Sequence, residues 1–462
     1  MEIAMKNIMS VILAAGESKD MKSKYPKAIL DVCGKPMISY VADSLSDIGC
    51  TKNVIVVDDK SSAVKDAMGE DFVYCTQKEA LGTADAVASA AKEFKDFDGI
   101  VVVLPCDIPL ITKEDISAAV DFHLEFNNSA TVITAIVQNP EGYGRIIRNN
   151  AGDVAGIVEH DFANQYELEI SEINTSIYVF DASALRYALD NRDSLSGEFD
   201  PNNIIHSVEV LIKSGRRVGA YEIDSFTNVL GVNNRIQLFE AQAVMRNRIN
   251  RYHMLNGVTI IAPAVTYIES GVKIGQDTVI APNVTLKGNT VIGSDVKIGA
   301  NSIITNSKIA DGVDILSSVI TDSEVMENAH IGPFAYLRPN SKIGKNVKIG
   351  DFVEIKNAVL DEGTKVSHLT YVGDSDVGKK VNFGCGCVTV NYDGAKKYRC
   401  SIGDNAFIGC NTNLVAPVTV NDGAYIAAGS TITDEVPQDT LAIARSRQVI
   451  KTNWKDRRNK NK

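Results

Sequence analysis

From Val272 to Ile432 the chain keeps a beat of six residues. One train of aliphatic residues runs Ile274, Ile280, Leu286, Ile292, Ile298, Ile304. A second runs Ile331, Leu337, Ile343, Ile349, Ile355, and a third Ile402, Ile408, Leu414, Val420, Ile426, Ile432. A six-residue period fits neither a helix nor an isolated strand, whose side chains repeat about every 3.6 and 2.0 residues. It fits a parallel β-helix, in which each hexapeptide is a short strand and a turn. The aliphatic residue then points inward and stacks on its equivalent one coil away. Each coil buries its core only against its neighbours, so the array must be long. Glycine follows many of these positions, as in Ile274-Gly275, Ile292-Gly293, Ile331-Gly332, Ile343-Gly344 and Ile402-Gly403. It is expected there because a corner needs backbone angles that a side chain forbids. The frame slips in two places. Between Phe383 and Ile402 the spacing is 19 residues, and that segment holds the turn signal Asn391-Tyr392-Asp393-Gly394. A loop that leaves a rigid repeat without disturbing it is a good place for a site.

A chain of 462 residues is too long for one ordinary domain, and its hydrophobic share of 45% suffices for more than one core. A net charge of −11 argues against a general nucleic-acid binder. No apolar run reaches transmembrane length, and residues 1–10 lack the apolar core and cleavage site of a signal peptide. The eight cysteines form no CxxC pair and no secreted-type framework, which points to a reducing, cytoplasmic setting. Cys385, Cys387, Cys400 and Cys410 cluster in the repeat region and read as small apolar fillers, with metal binding as the alternative.

Ahead of the repeats the pattern changes. An apolar run, Ile8–Leu13, ends in Ala14-Ala15-Gly16. Further strands are expected at Asn53–Val57 and Gly99–Leu104, with helices at Thr83–Phe94 and Lys113–Phe122. Strands alternating with helices predict an α/β domain with a parallel-rich sheet, whose ligands bind at the carboxyl ends of strands. Three stretches sit there: Gly16 to Lys27, Gln77 to Thr83, and Pro105-Cys106-Asp107. The glycine turn lets backbone N–H groups approach a phosphate, and Lys27 adds a positive charge. Asp107 suits Mg²⁺, although a lone Asp at a strand end is more often a cap or turn residue. Residues 234–255 read as a connecting helix, with Ile236, Phe239, Ala243, Met245, Ile249 and Tyr252 mostly on one stripe. The expected organisation is a first domain over 1–233, a linker helix over 234–256, a repeat domain over 257–445 and a basic tail over 446–462. From Arg445 onward there are eight basic residues and one acid, read as a solvated end or as an anion contact.

These motifs, in this order, resemble the bacterial bifunctional family of N-acetylglucosamine-1-phosphate uridylyltransferase / glucosamine-1-phosphate acetyltransferase, from about Ser10 to Arg447. The resemblance implies a Rossmann-like mixed-sheet nucleotidyltransferase domain followed by a left-handed parallel β-helix of hexapeptide repeats. In the first domain it implies nucleotide or UDP-N-acetylglucosamine contacts at Leu13, Ala14, Ala15, Gly16, Lys27, Gln77, Gly82 and Thr83. It adds sugar contacts at Gly144, Glu159 and Asn174, and metal ligands at Asp107 and Asn233 for Mg²⁺. In the second it implies acceptor-binding residues Arg338, Lys356, Tyr371 and Asn382, and acetyl-CoA contacts at Cys385, Asn391, Tyr392, Cys410, Ala428 and Arg445. His368 and Lys27 are its catalytic candidates. The implied chemistry is acetyl transfer from acetyl-CoA to glucosamine 1-phosphate. Uridylyl transfer from UTP to the acetylated product follows, giving a cell-wall precursor. A homotrimer with acetyl-CoA between neighbouring chains is implied as well. An ammonium must lose a proton before it attacks a thioester, and a neutral imidazole suits that task.

One departure stands out. Where the family's loop carries Gly-Thr-Arg-Met, this chain has Ser18-Lys19-Asp20-Met21, so an acid replaces the Arg that would neutralise a triphosphate. Ser176, where the family has Gly after Asn174-Thr175, is milder. Two alternatives to the full bifunctional enzyme are an acetyltransferase whose sheet domain binds nucleotide but reacts poorly, and a nucleotide-sensing scaffold without chemistry.

Overall fold

The computed structural model describes residues 7–16, 19–59, 62–194 and 200–455. Ser18 and the tail beyond Lys455 lie outside the described residues. Contacts divide the chain into two compact units, residues up to 245 and residues from 246 onward.

The first unit is built on a nine-stranded mixed sheet. Its central strand, Ile8–Leu13, is parallel to Lys52–Asp58 on one side and to Ile100–Pro105 on the other. Val73–Gln77 extends the sheet in parallel beyond Lys52–Asp58. The long strand Glu172–Asp181 runs antiparallel to Ile100–Pro105 and to Ala130–Ile136. The central strands are apolar nearly throughout, because helices cover both faces. The two faces make separate cores, one around Val11, Val103 and Phe180, the other around Ile12, Leu104 and Ile133. The helix expected over Thr83–Phe94 is shorter, Thr83–Ser89, and continues as a 3₁₀ turn over Ala91–Glu93. The helix Lys113–Glu125 starts with a capping box, in which Thr112 and Asp115 satisfy each other's backbone N–H.

The second unit is a parallel β-helix of three sheets, with 11, 10 and 9 strands. The register stacks Ile280 on Ile298 and Leu286 on Ile304, so one coil is three hexapeptides. The trains are joined by shorter steps: Ile304 stacks on Ile320 and Ile315 on Ile331, which keeps the column unbroken while the sequence frame slips. Nearly every train residue is buried in one continuous core, with Ile274 partly buried at its edge. One coil is longer, with Val388 stacking on Asn413. The excess is spent on residues 391–399, where a Tyr392–Lys397 bridge closes a small hairpin and Asp393 Oδ1 accepts from the N–H groups of Ala395 and Lys396 at 2.7 Å.

The glycines play a different part from the one expected. Gly275, Gly344 and Gly403 do not have positive φ; the left-handed corners are carried chiefly by Asn and Asp, such as Asp277, Asn283, Asp295 and Asn301. Asn and Asp tolerate that region because their short polar side chains bond locally. The glycines are required by close approach between coils. A Cβ on Gly403 would sit 2.3 Å from Asp422 Oδ1 and 2.6 Å from its backbone nitrogen. Of the five glycines singled out, Gly332 alone has a positive φ, at 101°.

The helix Arg235–Leu255 forms as expected, but only part of the predicted stripe is buried. Ile236, Phe239 and Tyr252 are 70%, 68% and 64% exposed, whereas Met245 of the predicted stripe is buried together with Leu238 and Ala241, and Ile249 packs partly buried against the repeat core. Ile236-Phe239-Ala243 and Leu238-Ala241-Met245 both follow the i, i+3, i+7 spacing, so periodicity alone could not choose between them in the first half of the helix. The part of the helix in the second unit closes the first coil. There the buried Asn250 amide donates to the carbonyls of Pro263 at 2.9 Å and Thr266 at 3.2 Å.

Candidate functional sites

In the first unit the carboxyl ends of Ile8–Leu13, Val73–Gln77 and Ile100–Pro105 open onto a cavity of about 380 Å³. Leu13, Ala15, Gly16, Lys27, Gln77, Gly82, Thr83 and Asp107 line it, while Ala14 is buried behind. Gly82 has no substitute: at φ 151° its Cβ would lie 2.4 Å from the Asn202 carbonyl oxygen. Its own carbonyl accepts from Gln77 Nε2 at 3.0 Å, and Asp85 accepts from the same nitrogen at 2.9 Å. Asp85 was not singled out in the sequence. It stands eight residues from Gln77, on the first turn of the following helix.

Lys27, Asp107 and Asn233 converge. The Lys27 ammonium bonds to Asp107 Oδ2 and, at 2.9 Å, to Asn233 Oδ1. The Asn233 loop is tied to the Asp107 strand end by Val232 N–H donating to the Asp107 carbonyl at 2.9 Å. Burial alone would lower the lysine's pKa, but the charges of Asp107 and Cys106, the Asp107 hydrogen bond and the charge of Asp20 outweigh it and hold it raised. Asp20 therefore acts on the same ammonium that a bound phosphate would use. Two oxygens aimed at one cation-filled point fit a divalent ion that completes its shell with substrate phosphates and water. Among the described residues no group of three or more His, Cys, Asp or Glu side chains could hold a metal unaided.

Gly144, Glu159 and Asn174 meet on three neighbouring strands: Gly144 just before Arg145–Arg148, Glu159 just after Val154–Val158 and Asn174 near the start of Glu172–Asp181. Asn174 N–H donates to the Gly144 carbonyl at 2.8 Å, and a Cβ on Gly144 would stand 3.3 Å from Glu159 Oε2. Asn203 Nδ2 holds Glu159 Oε1 at 3.1 Å, and Asn174 Nδ2 donates to the buried Tyr178 hydroxyl at 2.8 Å. Ser176 lies in the bulge that follows Asn174, at φ 63°, and lines the nucleotide cavity. That conformation suits glycine, and the Asn174 side chain steadies it by accepting from Ser176 N–H at 3.0 Å.

In the second unit the predicted residues other than Asn382 fall at two edges of one face. At the first edge His368 Nδ1 lies 2.8 Å from Asp351 Oδ1, its register partner one coil earlier. A carboxylate only accepts, so Nδ1 carries the proton and Nε2 presents a lone pair. The hydrogen bond from His368 holds the Asp351 carboxyl below its ordinary range. Asp351 was missed in the sequence, because this coil is 17 residues long and a regular count of 18 back from His368 falls on Gly350. The same corner continues upward. Asn411 N–H donates to the Cys385 carbonyl, and Gly429 N–H to the Cys410 carbonyl, both at 2.8 Å. Cys385, Cys410 and Ala428 thus form one column, with Arg445 Cδ 3.7 Å from where a Gly429 Cβ would be. Cys387 and Cys400 are core fillers, and burial pushes both thiols up to about 11. No disulfide joins any of the eight cysteines.

At the second edge Arg338 pairs with Glu354 at 2.8 Å, and Lys356 stands 3.9 Å from Asp374. Asn391 Nδ2 bonds to Asp374 Oδ2 and reaches the Tyr371 hydroxyl at 3.3 Å. Asn391 is therefore placed with Lys356 and Tyr371 rather than in the His368 column. Tyr392 is exposed in the hairpin, donating to the Gly394 carbonyl at 2.6 Å. Asn382 begins a strand of the first sheet, in register with Lys365 and Phe407. A hydrogen bond from Lys397 lowers the pKa of Lys356, with burial and the charges of Lys397 and Arg338 acting the same way against Asp374. Three cations crowded together are relieved by an anion.

The comparisons with known proteins match both halves. Residues 9–224 match the Nucleotidyl transferase family, residues 399–434 the Bacterial transferase hexapeptide (six repeats) family, and residues 321–393 the GMPPB C-terminal domain family. Over the whole length the chain is 51% identical to the Bifunctional protein GlmU of Acetivibrio thermocellus, covering 97% of each chain. The chain belongs to the GlmU family. The GlmU of Clostridioides difficile is 49% identical over 98% of both chains, and that of Caldanaerobacter subterraneus 49% identical over 98% of this chain and 99% of its own. The β-helix is accordingly the left-handed hexapeptide type, and GlmU membership carries two transferase domains in one chain. Among the described residues no helix is long and apolar enough to cross a membrane.

Proposed function

We propose that the chain makes UDP-N-acetylglucosamine in two steps, one in each unit. The observation that carries this is the pair of unlike sites: an ammonium between two metal-capable oxygens in one unit, and an imidazole oriented by a carboxylate in the other.

In the second unit, glucosamine 1-phosphate is held by its phosphate against Arg338 and Lys356, with Tyr371 and Asn382 completing the acceptor site. His368 Nε2 takes a proton from the amine, whose nitrogen attacks the acetyl carbonyl as the carbon–sulfur bond breaks and CoA leaves. Asp351 fixes the tautomer and supports the imidazolium. Acetyl-CoA lies along the Cys385–Cys410–Ala428 column toward Arg445, with Tyr392 at its margin. His368 and the Arg338–Lys356 pair occupy opposite edges of one face. A second copy beside the first would bring the two edges together, which supports a homotrimer.

In the first unit, the 1-phosphate oxygen of N-acetylglucosamine 1-phosphate attacks the α-phosphorus of UTP and pyrophosphate departs. Gly16 and Lys27 cradle phosphate, Gln77 and Gly82 face the base, and Gly144, Glu159 and Asn174 hold the sugar. Mg²⁺ on Asp107 and Asn233 would neutralise the charge developing on the phosphates. A cytoplasmic setting is supported by the absence of disulfides among eight cysteines. Assaying both half-reactions on one purified sample tests the whole reading. Failure of either reaction refutes the corresponding half, and a monomer at micromolar concentration by sedimentation refutes the trimer.

A further inference from the structure

Arg145 opens the strand Arg145–Arg148 directly beneath the residues assigned to the sugar. It is 1% exposed and is among the largest fully buried side chains of the chain. Among the described residues no carboxylate pairs with it. Its Nη1 donates to the Tyr143 carbonyl, its Nη2 lies 3.5 Å from His160 Nδ1, and its Nε has no partner. Burying a charge without a counter-charge is unfavourable, and an apolar residue of the same size is often as stable or more so. Stability therefore does not explain this guanidinium, but its position does. In register Arg145 faces Val158 on one side and Ile173 on the other, the residues just before Glu159 and Asn174. Tyr143 immediately precedes Gly144, and His160 immediately follows Glu159.

We propose that Arg145 is a positioning residue for the sugar-phosphate acceptor of uridylyl transfer, one planar fork that fixes the separation of Gly144 and Glu159 by holding their neighbours Tyr143 and His160. Lysine cannot do this, because a point-like ammonium lacks the rigid divergent donors of the fork. The arrangement also sets His160. A guanidinium only donates, so Nδ1 accepts and the ring proton is on Nε2. The proposal rests on the reading that Gly144, Glu159 and Asn174 contact the sugar.

The test uses the full-length enzyme and Arg145→Met, which keeps bulk and removes every donor. The KM for N-acetylglucosamine 1-phosphate rises by roughly ten- to a hundredfold, the scale of an ångström-sized misplacement. The KM for UTP and the rate of acetyl transfer stay within about twofold, and the melting temperature is unchanged or raised. Arg145→Lys fails to restore the sugar KM. A sugar KM within twofold of the parent overturns the proposal, as does a parallel rise in the KM for UTP. Glu159→Ala, measured alongside, separates the two layers. If it leaves the sugar KM unchanged, the sugar-site reading is wrong. If it raises that KM while Arg145→Met does not, Arg145 alone is wrongly assigned. Should Arg145→Met fail to fold, the parent enzyme's His160 ¹⁵N shifts decide: an unprotonated Nδ1 that moves on adding N-acetylglucosamine 1-phosphate supports the lock, and a protonated Nδ1 overturns it.

Discussion

The two units handle related sugar phosphates with opposite economies of chain. In the first, Lys27 reaches Asp107 at a strand end and Asn233 in a loop ahead of a helix, across 80 and 206 residues. In the second, His368 finds Asp351 across 17 residues, one coil away. A site gathered from distant segments depends on the whole sheet that holds them together. A site stacked on a repeat depends only on the neighbouring coils, because each coil touches no others. Damage should therefore spread in the first unit and stay local in the second.

Four experiments break or sharpen that contrast. The largest effect is expected from a chelator, which abolishes uridylyl transfer and leaves acetyl transfer intact; equal loss of both would show that the metal is not confined to Asp107 and Asn233. Next, His368→Ala lowers the kcat of acetyl transfer by roughly a hundredfold or more, and Asp351→Asn by less. Uridylyl transfer is unaffected in both, and a near-normal acetyl kcat for the alanine variant removes His368 from the mechanism. Third, Gly403→Ala forces a methyl against Asp422 and destabilises the β-helix by about 1–3 kcal/mol. Two-transition melting would show the second unit shifted and the first unmoved, whereas a shift of both would mean that the units melt together. Smallest is Asp20→Arg, predicted to raise kcat/KM for UTP a few-fold, while Lys19→Ala lowers it. Opposite unit charges at about 4 Å interact by roughly 4 kcal/mol near a surface, before screening and side-chain motion reduce it. The arginine also removes the carboxylate that acts on Lys27. An unchanged or slower rate in a folded variant would show that the loop has another solution.

The β-helix was the more legible half, because periodicity states which residues face inward without reference to any distant segment. What it could not state was why glycine follows so many of them. The pressure at Gly403 comes from the next coil, which a single hexapeptide does not show. The first turns of the helix Arg235–Leu255 were misread for a related reason: two apolar rows compete there, and only the packing partner selects Leu238 and Ala241 over Ile236 and Phe239. In the sheet unit, strands and cavity loops were readable from apolar runs and small-residue turns. The convergence of Lys27 with Asn233 was not, and came only through family resemblance. Arg145 was not legible at all, since nothing local marks an arginine as buried.

A prism of parallel coils has open ends, and each open coil is a template on which an identical coil could dock. Repeated head to tail, that would turn an enzyme into a fibre. At the amino end the Asn250 amide already occupies two carbonyls of the first coil, those of Pro263 and Thr266. The same helix that carries the chain into the repeats thus acts as a stopper against polymerisation, so that growth of the array ends with the single chain.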